Sequence, residues 1–176
     1  MSQLFVVAGP AASGKSEFAK TLSEHLACTW IDSDDNLDQL ISDNKELIAK
    51  VGMESFLSQI REDRYSDLIS KASHQLSIGK TVVISAPFTA EVLSQEKWDK
   101  LFSTIINNGF SPTLYWIATQ PSVRMERIKT RAAMRDVEKA GSYKFESISP
   151  AVSHILIDGT LNFEAQIEAS LENGNK

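Results

Sequence analysis

Residues 9–16 have the sequence Gly9-Pro10-Ala11-Ala12-Ser13-Gly14-Lys15-Ser16, which matches the pattern G-x-x-x-x-G-K-[ST] of a phosphate-binding loop at every position. Glycines let the backbone of such a loop turn so that successive N–H groups converge on phosphate oxygens. In this pattern Lys15 reaches the β- and γ-phosphates, and the Ser16 hydroxyl occupies one position on Mg²⁺. The sequence therefore predicts that the whole loop binds a nucleoside triphosphate, through Gly9, Pro10, Ala11, Ala12, Ser13, Gly14, Lys15 and Ser16.

The elements predicted on either side of this loop are those that phosphate binding requires. Residues 4–8 are apolar throughout, as expected of a strand that is buried on both faces. After the loop, Phe18, Ala19, Leu22 and Leu26 recur at helical spacing. A helix at this position directs the positive end of its dipole at the bound phosphates. The alternative is a glycine-rich turn that matches by chance, and the flanking strand and helix argue against it.

Four further apolar runs predict strands that alternate with helices. The predicted strands cover residues 29–31, 81–86, 113–118 and 154–158. The predicted helices are two short ones within 36–52, then 54–79, 98–107, 121–132 and 163–171. This order predicts an α/β fold, in which a five-stranded parallel sheet carries helices on both faces. Ligands of such sheets bind beyond the carboxyl ends of the strands, so we expect residues 9–16, 32–34, 85–88 and Thr119 to share one crevice.

Length, composition and charge exclude several functional classes. The chain of 176 residues shows no internal boundary and is expected to form a single domain over 1–176. Its formal net charge of −5 argues against nonspecific nucleic-acid binding.

No apolar stretch is long enough to cross a membrane, and no basic segment typical of a secretory signal precedes the first strand, so we expect a cytoplasmic protein. A single cysteine and three scattered histidines do not form a zinc site or a disulfide. We expect a monomer or a weak dimer.

Two carboxylates, Asp32 and Asp34, follow the second predicted strand. Side chains alternate along an extended chain, so these two are expected to point the same way. One carboxylate could hold Mg²⁺ while the other accepts a proton from an attacking hydroxyl. Asp32 is nearer the phosphate loop and is assigned to the metal, and Asp34 is assigned to the hydroxyl. The alternative is that the run Asp-Ser-Asp-Asp caps the following helix.

A basic group follows the fourth predicted strand and consists of Arg124, Arg127, Arg131 and Arg135. Their spacing of three, four and four would place them on one face of a continuous helix. Residues 133–150 are polar and weakly periodic, and are predicted to be a lid that closes over a bound triphosphate. Lid arginines could then neutralise the charge on the transferred group, and Arg131 and Arg135 are the preferred candidates. The alternative is a solvated face that pairs with Glu126 and Asp136.

The chain resembles the small P-loop kinases related to shikimate kinase, gluconate kinase, the antibiotic phosphotransferases and zeta toxins, and it is most similar to the bacterial "AAA family ATPase" branch of that group. The resemblance is carried by residues 9–16, 31–34, 82–88 and 131–136 with Lys139. It implies the P-loop NTPase three-layer sandwich with strand order 2-3-1-4-5, ATP as phosphate donor, Mg²⁺ as cofactor and an arginine-bearing lid. It also implies Asp32 on the metal, Asp34 on the acceptor hydroxyl, Arg131 near the adenine and Arg135 near the γ-phosphate.

Two positions depart from the patterns of these families. In the branch named above the third strand usually ends in Asp, whereas this chain has Ser85, so the metal would depend more on Ser16 and Asp32. Shikimate kinases have Phe-Arg after a Gly-Glu signature, and their arginine grips the substrate carboxylate. The comparable stretch here is Phe56-Leu57, so shikimate is not expected to be the acceptor.

These expectations combine into one predicted activity and two alternatives. The predicted activity is ATP-dependent phosphoryl transfer to a hydroxyl of a small-molecule acceptor, with Lys15, Asp34 and Arg135 as catalytic residues. The acceptor is expected to bind within residues 36–65, where polar contacts are offered by Arg61, Arg64 and Tyr65. The first alternative is an ATP-binding protein with slow hydrolysis, whose nucleotide state controls conformation or a partner; Asp34 favours the enzyme and Ser85 favours this alternative. The second is a toxin-like kinase acting on a nucleotide sugar.

Overall fold

In the computed structural model of the chain, which describes residues 2–131 and 148–174, five parallel strands form a central sheet. The strands are β1 (Leu4–Ala8), β2 (Thr29–Asp32), β3 (Val82–Ala86), β4 (Pro112–Ala118) and β5 (Ile155–Asp158). Their order across the sheet is β2-β3-β1-β4-β5. The predicted α/β fold and the predicted strand order 2-3-1-4-5 are confirmed.

Helices connect the strands and cover both faces of the sheet. They are α1 (Lys15–His25), α2 (Leu37–Asp43), α3 (Lys45–Val51), α4 (Met53–Gln59), α5 (Arg61–Ser77), α6 (Gln95–Leu101), α7 (Ser103–Asn107), α8 (Pro121–Arg131) and α9 (Phe163–Gly174). Among the described residues, no helix is long and apolar enough to span a membrane.

The sheet separates two apolar cores because strand side chains alternate between its faces. On one face, Val6 and Ile84 pack with buried side chains of α5, α6 and α7. On the other face, Val7 and Val83 pack with buried side chains of α1 and α9. The resulting helix–sheet–helix arrangement is the predicted three-layer sandwich.

Two helices that the sequence predicts as continuous are each divided in the structure. The predicted helix 54–79 is interrupted at Ile60, and the predicted helix 98–107 is interrupted at Phe102. The first interruption has a packing reason. Phe56 of α4 is buried in a small separate cluster with Leu37 and Ile41, whereas α5 packs on the core of the sheet. The spacing of apolar residues does not reveal this break, because α4 and α5 both carry buried apolar residues although they pack in different clusters.

The predicted lid, residues 133–150, lies almost wholly outside the described residues. Arg135 and Lys139 fall in the same stretch, and Arg131 is described only as the last residue of α8, without its side chain. The lid and the roles of its arginines therefore stay predictions, as does the single domain over 1–176.

Candidate active site

The phosphate loop joins β1 to α1 through an alternation of backbone conformations. Ala12 and Gly14 both have positive φ, 59° and 99°, with Ser13 between them. An alternation of this kind turns successive N–H groups towards one point and forms an anion-binding concavity. Lys15 is the first residue of α1, directly after this loop, and is only 9% exposed.

Gly9 is required by the close approach of the loop to β4. A Cβ at this position would lie 2.7 Å from the Ser13 Oγ atom and 2.9 Å from the Ile117 carbonyl oxygen. Both distances are shorter than a carbon atom tolerates, so a larger residue would push the loop away from the sheet. The first glycine of the pattern thus sets where the loop leaves the strand.

The outer side of the loop is held by hydrogen bonds to its carbonyl oxygens. The Ser13 carbonyl accepts from the Thr119 hydroxyl at 2.8 Å and from Arg127 Nη1 at 3.1 Å. Arg127 Nη1 also donates to the Ala12 carbonyl at 3.3 Å, and Nη2 donates to the Gly159 carbonyl at 2.8 Å. Because the Ser13 carbonyl is fixed outwards, the peptide N–H of Gly14 points to the opposite side of the loop, where a phosphate would bind. Arg127 and Thr119 therefore preorganise the loop before any ligand binds.

Gly159 and Arg127 have structural roles in the site that the sequence did not reveal. A Cβ at Gly159 would overlap Thr119 Oγ1 and would lie 2.6 Å from the Ser13 carbonyl oxygen. A signal for Gly159 was present, because a glycine directly after a strand often marks a close backbone approach. For Arg127, spacing alone indicated a shared arginine face, and only the fold shows that its guanidinium binds the loop.

The solvated alternative for the arginine face is wrong for its first two members. Arg124 is buried, with only 2% of its surface exposed, and Arg127 is directed at loop carbonyls. Neither residue forms the predicted solvated alternative. The cause is the position of α8, which brings Arg127 to the carbonyls of the phosphate loop and of Gly159.

The strand ends predicted to share a crevice are joined to one another by direct hydrogen bonds. These run from Gly9 N–H to the Pro87 carbonyl (3.3 Å), from Ser33 N–H to the Ser85 carbonyl (2.8 Å) and from the Thr119 hydroxyl to the Ser13 carbonyl (2.8 Å). The phosphate loop, the end of β2 and the end of β3 thus form one continuous surface at the carboxyl edge of the sheet.

Asp32 and Asp34 lie at this edge, but they do not lie in one extended strand, so side-chain alternation does not make them point the same way. β2 ends at Asp32, and the following residues form a turn in which Asp32 Oδ1 accepts the Asp34 N–H at 2.9 Å. The residue at the N-cap of α2 is Asn36. The aspartates therefore shape the turn before the helix and do not occupy its N-cap, contrary to the capping alternative.

Asp34 is held in place by Arg64 of α5. Arg64 Nη2 lies 2.6 Å from Asp34 Oδ1, and the same guanidinium donates to the Ser33 carbonyl at 2.6 Å. The Arg64 side chain is 16% exposed, whereas the Asp34 side chain is 31% exposed. A charge-assisted bond of this length fixes the carboxylate, while its exposure leaves the group accessible to a ligand.

A second ion pair lies one turn earlier on the same helix. Arg61 Nη2 donates to both oxygens of Glu91, at 2.6 and 2.8 Å, and the guanidinium carbon lies 5.2 Å from the centre of the Tyr65 ring. The Tyr65 hydroxyl accepts the N–H of Phe88, a buried residue with φ 45°. Burial raises the pKa of the Tyr65 hydroxyl, and the adjacent Arg61 opposes that rise.

Ser85 of β3 stands where the resembled kinases usually have an aspartate. It is fully buried, and its Oγ accepts the indole N–H of Trp30 at 2.8 Å. Ser85 pairs in register with Asp32 on one side and with Val7 on the other. Asp32 is therefore two strands from β1, about 9–10 Å.

Within the described ranges, no three His, Cys, Asp or Glu side chains come together to hold a metal. Ser16 and Asp32 offer only oxygen donors, a set that fits Mg²⁺ when phosphates and water complete its coordination.

A family model described as "AAA domain" matches residues 4–148 of the chain. The chain belongs to this AAA domain family. A search of curated proteins found no match for this AAA domain.

Several solved structures with a similar fold are described as kinases. A sugar kinase from Janibacter sp. HTCC2649 is 18% identical to the AAA domain, with a TM-score of 0.64 over 98% of this chain and 94% of that chain. A shikimate kinase from Aquifex aeolicus vf5 is 16% identical, with a TM-score of 0.55 over 98% of both chains. The Mycobacterium tuberculosis APS kinase CysC, in complex with AMPPNP and APS, is 14% identical, with a TM-score of 0.62 over 99% of this chain and 98% of that chain. The resemblance to small P-loop kinases predicted from the sequence is confirmed at the level of fold.

Proposed function

We propose that this AAA domain transfers the γ-phosphate of Mg²⁺-bound ATP to a hydroxyl group of a small molecule. The observation that carries the proposal is the placement of Asp34. Its carboxylate lies at the strand edge that also bears the phosphate loop, and Arg64 holds it at 2.6 Å while it stays partly exposed. A protein that only bound nucleotide would need no partly exposed carboxylate fixed in this way at the strand edge that bears the loop.

The phosphate loop supplies binding and charge stabilisation. Its converging N–H groups and the N-terminus of α1 would hold the β- and γ-phosphates, and Lys15 would meet the charge that grows on the bridging oxygen during transfer. Arg127 and Thr119 contribute by keeping the loop in its binding conformation. Arg131 near the adenine and Arg135 near the transferred group remain sequence-based parts of the proposal.

The two aspartates have different roles in this proposal. Ser16 and Asp32 would hold Mg²⁺, which when bound neutralises phosphate charge and orients the γ-phosphate for in-line attack. Asp34 is one turn further from the sheet, on the side of α2 to α5 where the acceptor is expected within residues 36–65. Its carboxylate would accept a hydrogen bond from the attacking hydroxyl, orient it and take its proton. A positioned base of this kind contributes typically about 10²–10⁴-fold to the rate.

A screen of small metabolites tests the proposed activity. Thermal shifts would be recorded with Mg²⁺ and AMPPNP present, and compounds that stabilise the protein would then be assayed for ADP release from Mg-ATP. We expect ADP release that rises with acceptor concentration, and a phosphorylated product in equal amount by mass spectrometry. ADP release that no acceptor stimulates would contradict the phosphotransferase.

The second candidate is an ATP-binding protein in which slow hydrolysis controls conformation or a partner. It is favoured by one observation, the hydroxyl of Ser85 in place of a strand-3 carboxylate, because a metal held by fewer protein ligands supports slower chemistry. Under this alternative, replacing Asp34 by Asn would leave the slow ADP release unchanged.

A further inference from the structure

The turn that follows β5 is closed by its own side chains and contacts the arginine that supports the phosphate loop. From this arrangement we infer that Asp158 is a positioning residue for nucleotide binding, which acts on the phosphate loop through Gly159 and Arg127. The inference rests on the nucleotide binding of the proposed function. It adds the edge strand β5 to the elements that hold the loop in its binding conformation.

The Asp158 carboxylate closes the turn by accepting two hydrogen bonds from one residue. Asp158 Oδ1 accepts the Thr160 N–H at 2.8 Å and the Thr160 hydroxyl at 2.6 Å. The hydroxyl and, to a smaller extent, the N–H of Thr160 hold the pKa of the Asp158 carboxyl below its usual value. The carboxylate is therefore ionised at neutral pH, and in that form it only accepts hydrogen bonds.

The bond to the Thr160 N–H also fixes the carbonyl of Gly159, because both groups belong to one planar peptide unit. In a trans peptide the N–H and the C=O point in opposite directions. Since the Thr160 N–H is held towards Asp158, the Gly159 carbonyl points away from it and accepts Arg127 Nη2 at 2.8 Å. The Gly159 N–H donates to the Ala118 carbonyl at 2.7 Å, so both peptide units of the glycine are held.

Arg127 transmits this constraint to the phosphate loop. While its Nη2 donates to Gly159, its Nη1 donates to the Ser13 carbonyl at 3.1 Å and to the Ala12 carbonyl at 3.3 Å. The guanidinium is planar and holds its donors in a fixed geometry, so the position of the Gly159 carbonyl restricts where Nη1 can lie. The Ser13 carbonyl shares a peptide unit with the Gly14 N–H. A series of direct contacts thus leads from Asp158 to a donor on the phosphate-binding side of the loop.

A purely electrostatic role for Asp158 would change nucleotide affinity in the opposite direction. Asp158 ends β5 at the carboxyl edge of the sheet, which also bears the phosphate loop, and its negative charge disfavours a triphosphate nearby. If charge were its only contribution, removal of the carboxylate would strengthen nucleotide binding. A positioning role predicts weaker binding, so the sign of the change in Kd separates the two roles.

Calorimetric titration of Asp158→Ala with Mg²⁺ and AMPPNP tests the inference. We expect the Kd to rise about three- to tenfold, because the two lost hydrogen bonds are exposed and contribute at the low end of the usual range. Asp158→Asn keeps an oxygen acceptor and should recover most of the affinity. The control Glu164→Ala removes an exposed carboxylate from α9 and should bind AMPPNP like the wild type. An unchanged or lower Kd in Asp158→Ala, or an equal loss in Asp158→Asn, would overturn the inference.

A double-mutant cycle tests whether Asp158 acts through Arg127. In the Arg127→Met background, Asp158→Ala should raise the Kd by less than about twofold, because the contacts from the turn to the loop are already broken. If the two losses instead multiply, Asp158 acts by another route and the inference is wrong.

Amide hydrogen exchange in the nucleotide-free protein gives a readout that needs no ligand. Residues 9–16 should exchange faster in Asp158→Ala than in the wild type and in Glu164→Ala, because the loop is held less firmly. Equal exchange in all three proteins would overturn the inference. Failure of the wild type to bind AMPPNP would instead contradict the proposed function.

Discussion

Arg127 offers the sharpest test of how the fold prepares the phosphate loop. The replacement Arg127→Met keeps much of the aliphatic length of the side chain but removes all donors to the loop carbonyls. Three hydrogen bonds are lost, to the oxygens of Ala12 (3.3 Å), Ser13 (3.1 Å) and Gly159 (2.8 Å). We expect weaker nucleotide binding with the fold retained.

The expected rise in the Kd for AMPPNP follows from the lengths of these hydrogen bonds and from the exposure of Arg127. A hydrogen bond to a charged group contributes about 1.5–3 kcal/mol, but two of these bonds are long and Arg127 is only half-buried, so about 1 kcal/mol each is appropriate. The Thr119 bond to Ser13 remains and limits the loosening of the loop. Reordering the loop on binding should then cost about 1.4–2.8 kcal/mol, which raises the Kd for AMPPNP about 10–100-fold.

Calorimetric titration with Mg²⁺ and AMPPNP measures this Kd directly. Lys129→Met is the matched control, because it removes a cation from an exposed position of the same helix. The control should bind AMPPNP like the wild type. If Arg127→Met binds AMPPNP within about twofold of the control, the loop does not depend on this arginine and the preorganisation argument is refuted.

Three other changes probe separate parts of the site. Lys15→Ala should leave circular dichroism unchanged and remove most of kcat, because the lysine meets charge that grows in the transition state; equal turnover would sink its assignment. Gly159→Ala places a Cβ against Thr119 and the Ser13 carbonyl, so urea unfolding should show a loss of about 1–3 kcal/mol, and no loss would mean that the loop and the β5 end shift freely. Hydrogen exchange in residues 133–150 should slow when Mg²⁺ and AMPPNP are added; equal exchange in both states would argue against a lid.

Much of the fold could be predicted because its signals are local and repeated. Each strand is a short apolar run next to a turn signal, and the phosphate loop ties the first strand to the first helix. The helix interruption at Ile60 escaped prediction because α4 packs through Phe56 against Leu37 and Ile41, in a cluster separate from the sheet core. That difference depends on tertiary packing and leaves no mark on the spacing of apolar residues.

The candidate site was only partly predictable for a similar reason. The loop and the two aspartates follow from a pattern and from their place after a strand. The partner of Asp34 is 30 residues away in the sequence, and the loop carbonyls that bind Arg127 are more than 110 residues from it. Pairings over such distances are set by which strands and helices become neighbours, so spacing along the chain cannot reveal them.

We propose that Asp34 acts on the acceptor hydroxyl and that Asp32 serves the metal. The direct measurement is acceptor-dependent kcat at saturating Mg-ATP for Asp34→Asn, with Asp35→Asn as control at the next, exposed position. We expect kcat to fall about 10²–10⁴-fold in Asp34→Asn, without rescue by added Mg²⁺, and to stay at the wild-type value in the control. Asp32→Asn should instead recover part of its rate as Mg²⁺ is raised. A loss of less than about threefold in Asp34→Asn, or a loss that Mg²⁺ restores there but not in Asp32→Asn, would contradict the account.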